Sequence, residues 1–313
     1  MSYEGKMLKE YFMPSRQEVE NALLKSLLKH NGVIKEFNSD ESIVNEIANR
    51  FHLSELQKSA QLETIYRKEN RVKRVSLWNR LLFRAADVLV RDGFVSRPSQ
   101  TEKLTGKKEW MLTEMGYDKA LAISNISPSK KEFLPVKSYE VQKVVNKLKE
   151  LARPISYNPL DDKKKVKTIL KEVTVRYRGF RIAVIEAYDY KCAVCELKIH
   201  SPDFSVWEVE AAHIVPHSSK GKDDIWNGIA LCHFHHWAFD VGWFTLTDNY
   251  IIQTLSKLST INADFGRSGG YDLLRTSIKN KSKIILPQQK EIYPHQAALQ
   301  WHRVNVFNKI ESK

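Results

Sequence analysis

The chain has 313 residues, with 50 Lys and Arg against 37 Asp and Glu and a formal net charge of +13, a length that exceeds one ordinary core and predicts two domains. The basic excess favours a polyanionic partner, nucleic acid foremost, over an acidic or neutral one. No apolar run approaches the length of a spanning helix, and the start MSYEGKMLKEYFMP has acidic and polar residues where a secretion signal needs an apolar core, so a cytoplasmic protein with no membrane partner is expected.

In chain order, the first predicted element is a helix from Pro14 to about His30. Val19, Ala22, Leu23, Leu27 and Leu28 recur there at helical spacing, Ser15 and Glu18 form a capping box, and Gly32 closes it. Ile43, Val44, Ile47 and Ala48 predict a second helix over 41–51, and a third is expected from Val72 to Arg91, stopped at Gly93. Two strand-like runs follow, FVSR from Phe94 and EWMLT from Glu109, joined by a polar hairpin-like segment with Pro98 and Gly106. Three helices and a two-stranded ribbon outline a winged helix. Arg71, Lys73, Arg74, Arg80 and Arg84 lie in or beside the third helix, where such a fold presents side chains to DNA; a solvated charged face is the alternative reading. Element order and the LTEMG turn resemble the Mrr amino-terminal winged-helix domain, over about Pro14 to Ile123. Residues 1–125 are thus expected to be a DNA-binding domain. Residues 126–172 read as a connector with basic, Pro- and Ser-rich ends and one helix through Val141, Val144, Val145, Leu148 and Leu151.

Residues 173–313 carry the chemistry. All three cysteines fall on one pattern: Cys192 and Cys195 in C-x2-C, and Cys232 and His235 in C-x2-H. Three thiolates and an imidazole suit a closed tetrahedral structural Zn2+ rather than a disulfide framework. Interleaved with these, His213, Asn227 and His236 have the spacing H-x13-N-x8-H.

That second set, with its flanks from RYRGFRIAVIEAYDYKC to LPQQKEIYPHQAALQWHRVNVF, resembles the HNH, or ββα-metal, restriction endonucleases over about Val173 to Phe307. The resemblance implies an α+β chain in which a winged-helix domain precedes an HNH nuclease domain with a zinc knuckle. It implies His213 on the first strand as general base, Asn227 at the turn into the second strand, orienting that imidazole or shaping the turn, and His236 on the helix as ligand of a catalytic Mg2+ or Mn2+. Asp240, four residues on, shares the helical face of His236 and is a second ligand candidate. Many members have an acid or histidine immediately before the base. Ala212 stands there, and Glu210, on the same strand face, is the expected substitute. His217 and His233 are candidates by proximity only, and Arg176, Arg178 and Arg181 are candidates for holding the scissile phosphate.

The resemblance implies hydrolysis of double-stranded DNA to 5′ phosphate and 3′ hydroxyl ends by a prokaryotic restriction enzyme, a modification-dependent type included, with a homodimer as one way to cut both strands. A homing endonuclease fits the same chemistry. A non-catalytic zinc-containing regulator ranks lower because it has no use for His213, Asn227, His236 and Asp240 together. A secreted nuclease toxin is disfavoured by the start of the chain.

Overall fold

A computed structural model describes residues 3–37, 41–66, 71–132, 134–161, 170–202, 206–256 and 278–312. The chain divides into two compact units, Met1–Gln142 and Lys143–Lys313.

In the first unit, α1 (Tyr3–Glu10) precedes α2 (Arg16–Lys29), β1 (Val33–Lys35), α3 (Glu41–Arg50) and α4 (Glu55–Ser59). There follow β2 (Gln61–Tyr66), β3 (Arg71–Ser76), α5 (Leu77–Arg91), β4 (Val95–Ser96), α6 (Pro98–Thr105), β5 (Glu109–Leu112) and α7 (Glu114–Ile123). The start of α2 is fixed reciprocally: Glu18 N–H donates to Ser15 Oγ at 3.3 Å and Ser15 N–H to Glu18 Oε2 at 2.8 Å. Val19, Leu23 and Leu27 then face the core, as helical spacing requires.

Two sequence expectations are corrected in this unit. The third helix starts at Leu77, not Val72. Residues 71–76 pair antiparallel with 61–66, and the Ser76 hydroxyl accepts from Asn79 N–H to cap α5. The segment expected as a hairpin contains α6, with Pro98 in its first turn, where a missing N–H is harmless, and Gly106 at φ 74° as its left-handed cap. The strands β1, β5 and β4 form one antiparallel sheet in that order. Phe37, Phe83 and Trp110 pack beside it, with Phe37 5.1 Å from Phe83 and 5.2 Å from Trp110.

Helix α8 (Tyr139–Glu150) leads into the second unit, where α9 (Leu170–Ala187) is followed by β6 (Val209–His213) and β7 (Gly228–Cys232). Next come α10 (His233–Asp240), β8 (Phe244–Leu246) and β9 (Ile252–Thr254), then α11 (Gln296–His302), a π-helical turn (Arg303–Phe307) and α12 (Asn308–Glu311). β6 and β7 pair antiparallel in a register that sets Val209 opposite Cys232 and His213 opposite Gly228. α10 begins directly at the end of β7, so two strands and one helix form a continuous frame. Among the described residues no helix is long and apolar enough to cross a membrane.

A buried histidine ties the end of this unit to α10. The Thr245 hydroxyl donates to His302 Nδ1 at 2.9 Å, His302 Nε2 donates to Phe239 O at 3.0 Å, and the imidazole stacks on the Phe239 ring at 3.7 Å. Burial pushes its pKa down to about 4. Between that value and the ordinary value of 6.5 the unfolded chain takes up a proton that the folded chain refuses. This contribution to stability is therefore complete above about pH 6.5 and is lost as pH falls towards 4, on the order of 3 kcal/mol in all. Thermal melts of the wild type and His302→Gln between pH 7 and pH 4.5 are expected to show a steeper loss for the wild type.

Candidate metal and catalytic site

The first cluster lies where three local structures meet. Cys192 and Cys195 occupy the turn after α9, which is anchored to β7 because Ala193 N–H donates to Ala230 O at 2.8 Å. Cys232 ends β7 and His235 lies one turn into α10. Their ligand atoms all lie within 4.8 Å of one another. Cys195 Sγ is 3.9 Å from Cys232 Sγ, while His235 Nδ1 is 3.5 Å from Cys192 Sγ and 3.0 Å from Cys232 Sγ. All three cysteines are free thiols. Hydrogen bonds from Cys195 and Cys232 hold the Cys192 thiol well below its ordinary range. Burial opposes charging of His235, but hydrogen bonds and charge from Cys192 and Cys195 raise it to about 9. This group can hold a metal ion.

The second cluster runs along one side of α10. His236 Nδ1 lies 2.9 Å from Glu210 Oε2 of β6, and His236 Nε2 lies 3.5 Å from Asp240 Oδ2 one helical turn on. Each ring nitrogen thus faces a carboxylate. Burial disfavours charge on His236, yet the hydrogen bond to Glu210 and the charge of Asp240 raise its pKa overall. The same hydrogen bond lowers Glu210, whereas burial raises Asp240. His233 lies 3.3 Å from Glu210 and 3.2 Å from Glu208, on the exposed side of the helix. Ala212 is fully buried beside this group and offers no donor.

His213 closes β6 with its ring stacked on Phe180 of α9, centroids 4.1 Å apart at 21°. Its Nε2 donates to Asp223 Oδ1 at 3.0 Å, and Asp223 Oδ2 accepts from Arg176 Nε at 2.8 Å. Burial works against the Asp223 carboxylate, but the hydrogen bond from His213 and the charge of Arg176 outweigh it and lower its pKa. His217 lies in a 3-10 turn, its ring 6.4 Å from that of His213.

Asn227 is fully buried and spends its amide on the backbone. Oδ1 accepts from Val215 N–H at 2.8 Å, and Nδ2 donates to Val215 O at 3.1 Å and Lys222 O at 2.9 Å. Of the two roles offered by the sequence, orienting the imidazole and shaping the turn, the contacts belong to the turn. The loop it closes is tight: a Cβ on Gly221 would sit 1.8 Å from Val215 O. Asp223, which does touch the imidazole, escaped the sequence reading. Its only signal was an acidic pair, Asp223 and Asp224, inside the interval between His213 and Asn227.

The expected nucleic-acid contacts separate. Arg71, Lys73 and Arg74 lie on β3, with Arg74 exposed and paired to Glu63 at 2.8 Å. Arg80 and Arg84 lie on α5, where both meet Glu4, at 2.8 and 2.9 Å. Arg176 is committed to Asp223. Arg178 is 2 % exposed, with its side chain inside the unit. Arg181 is half-buried and contributes its charge to Glu210.

Comparison with known proteins places an HNH endonuclease domain at residues 192–247, the span matched by the model of that family. It contains both clusters, His213, Asp223 and Asn227, and leaves out α9. No curated protein matches the chain. A solved structure titled modification dependent TagI restriction endonuclease is similar at 18% identity and a TM-score of 0.30, covering 45% of this chain and 44% of that one. The chain therefore spans less than half the length of that relative.

Proposed function

We propose that this chain is a metal-dependent DNA endonuclease of the restriction type, in which His213 removes the proton from the attacking water. The observation that carries the reading is the presence, inside an HNH endonuclease domain, of an imidazole at the end of β6 beside the Glu210–His236–Asp240 group, which the same strand and α10 supply. With Nε2–H donated to Asp223, the Nδ1 of His213 is the nitrogen left to accept a proton, and a neutral imidazole works at ordinary pH. Asn227 holds the loop between the strands closed through its bonds to the Val215 and Lys222 backbone.

Glu210, His236 and Asp240 fit a hard divalent cation such as Mg2+ or Mn2+, because two carboxylates already flank one imidazole and no thiol is present. Such an ion supplies charge stabilisation to the phosphate and the departing 3′ oxygen. Cys192, Cys195, Cys232 and His235 fit Zn2+. Two sulfurs about 2.3 Å from one centre at the tetrahedral angle are about 3.8 Å apart, close to the 3.9 Å between Cys195 and Cys232.

In the first unit, the sheet order β1-β5-β4 with α2, α3 and α5 supports the winged-helix reading, with the β2–β3 hairpin and α6 as additions. Exposed Arg74, with Arg71 and Lys73 on the same strand, is then a phosphate-contacting edge for double-stranded DNA. The domain limits that go with this reading are 1–125 for DNA binding, 126–172 for the connector and 173–313 for the nuclease. A homodimer would supply two sites for two strands, and a prokaryotic cytoplasm is the matching compartment. A modification-dependent subtype is included in the same reading. End-group analysis tests the proposed chemistry. Linear products with 5′ phosphate and 3′ hydroxyl ends, ligatable without prior treatment, are expected; 3′ phosphate ends would rule out the proposed line of attack.

A further inference from the structure

We propose that Asp223, held by Arg176, is a positioning residue for His213, and that α9 supplies the support for the base from outside the 192–247 domain. This rests on the reading of His213 as general base and adds to it the part that fixes its tautomer and ring.

Asp223 bridges two elements: one carboxylate oxygen accepts from His213 Nε2 at 3.0 Å, the other from Arg176 Nε at 2.8 Å. Its side chain is 2 % exposed. An isolated carboxylate so buried would take up a proton and then donate to His213, reversing the tautomer. Arg176 prevents this by pairing with it. Phe180 lies four residues after Arg176 on α9, so the two share a helical face. One covers the imidazole ring at 4.1 Å while the other anchors the carboxylate that binds its edge. The base is thus held on its face and on its edge by one helix.

Proton uptake at Nδ1 leaves an imidazolium whose Nε2–H points at an ionised acid, an arrangement that steadies the charged form as it develops. The other groups around the ring are Tyr177 of α9, 6.3 Å away, His217, 6.4 Å away, and Asp240 of α10, which acts through its charge. None of these contacts is a direct hydrogen bond to His213 among the described residues. Asp223 is the polar partner that the ring itself touches.

The experiment is the single-turnover cleavage rate against pH for the full-length wild type, Asp223→Asn, Arg176→Gln and His213→Ala, with zinc content and thermal melts measured alongside. Asp223→Asn is expected to cut about 10²–10⁴-fold more slowly, because an amide can present its N–H to Nε2 and invert the tautomer. Its acidic limb should move to lower pH, since the imidazolium loses its counter-charge. Arg176→Gln, which leaves the carboxylate in place, should show a smaller loss, about tenfold, in the same sense. A slow Asp223→Asn with a wild-type pH profile would reduce Asp223 to a structural role and overturn the inference. Full activity of Asp223→Asn beside an inactive His213→Ala would overturn it while leaving the base assignment standing. Full activity of His213→Ala would remove both.

Discussion

Cys232→Ser is expected to abolish zinc binding and to unfold the second unit while the first keeps its own thermal transition. The argument is one of magnitude. Structural zinc in small sites is worth on the order of 10 kcal/mol, comparable with the entire stability of a domain, about 5–15 kcal/mol. Cys232 also occupies a junction. It is the last residue of β7, the residue before α10, and the partner within 4 Å of both Cys195 and His235. Losing it detaches the turn of Cys192 and Cys195 from the helix that carries His236 and Asp240. Metal analysis and calorimetry on the full chain check this, with one zinc per chain expected for the wild type and none for the variant. Unchanged zinc content, or two unchanged transitions, would contradict the assignment of this site.

His213→Ala is expected to lower the cleavage rate by about 10²–10⁴-fold with little change in folding. The imidazole stands at the strand end, 11 % exposed, and its removal leaves Asp223 still paired with Arg176. The Cys192, Cys195, Cys232 and His235 cluster shares no side chain with it. Zinc content and the melting temperature should therefore stay close to wild type, which separates loss of chemistry from loss of fold. A melt that collapsed together with activity would instead mark His213 as a packing residue against Phe180.

The grouping of Cys192, Cys195, Cys232 and His235 was legible in the sequence because each pair sits within one turn of chain, so spacing alone nearly fixes the geometry. His236 and Asp240 were legible for the same reason, as an i, i+4 pair on one helix. Asp223 was not, because its role depends on a loop closed by Asn227 and on Arg176, 47 residues earlier. The burial of Arg178 was not legible for a related reason: an arginine in a basic helix reads as surface, and only the packing of α9 shows which face is turned inward. In the first unit, Val72 and Val75 suit a helical spacing as well as a strand. Only the antiparallel partner segment 61–66, seen opposite, decides for the strand. Pro98 and Gly106 punctuate a turn and bound a helix equally well, and the segment between them is α6.

The central claim is that a metal-assisted water is activated by His213 to cut DNA. The most direct measurement is the cleavage of supercoiled plasmid, methylated and unmethylated, by wild type and His213→Ala in parallel with Mg2+, Mn2+ or a chelator. The account predicts cutting by wild type on at least one of the two DNAs only when a divalent ion is supplied, and a near-complete loss in His213→Ala under the same conditions. Equal cutting by both proteins, or no cutting by wild type on either DNA, would contradict it.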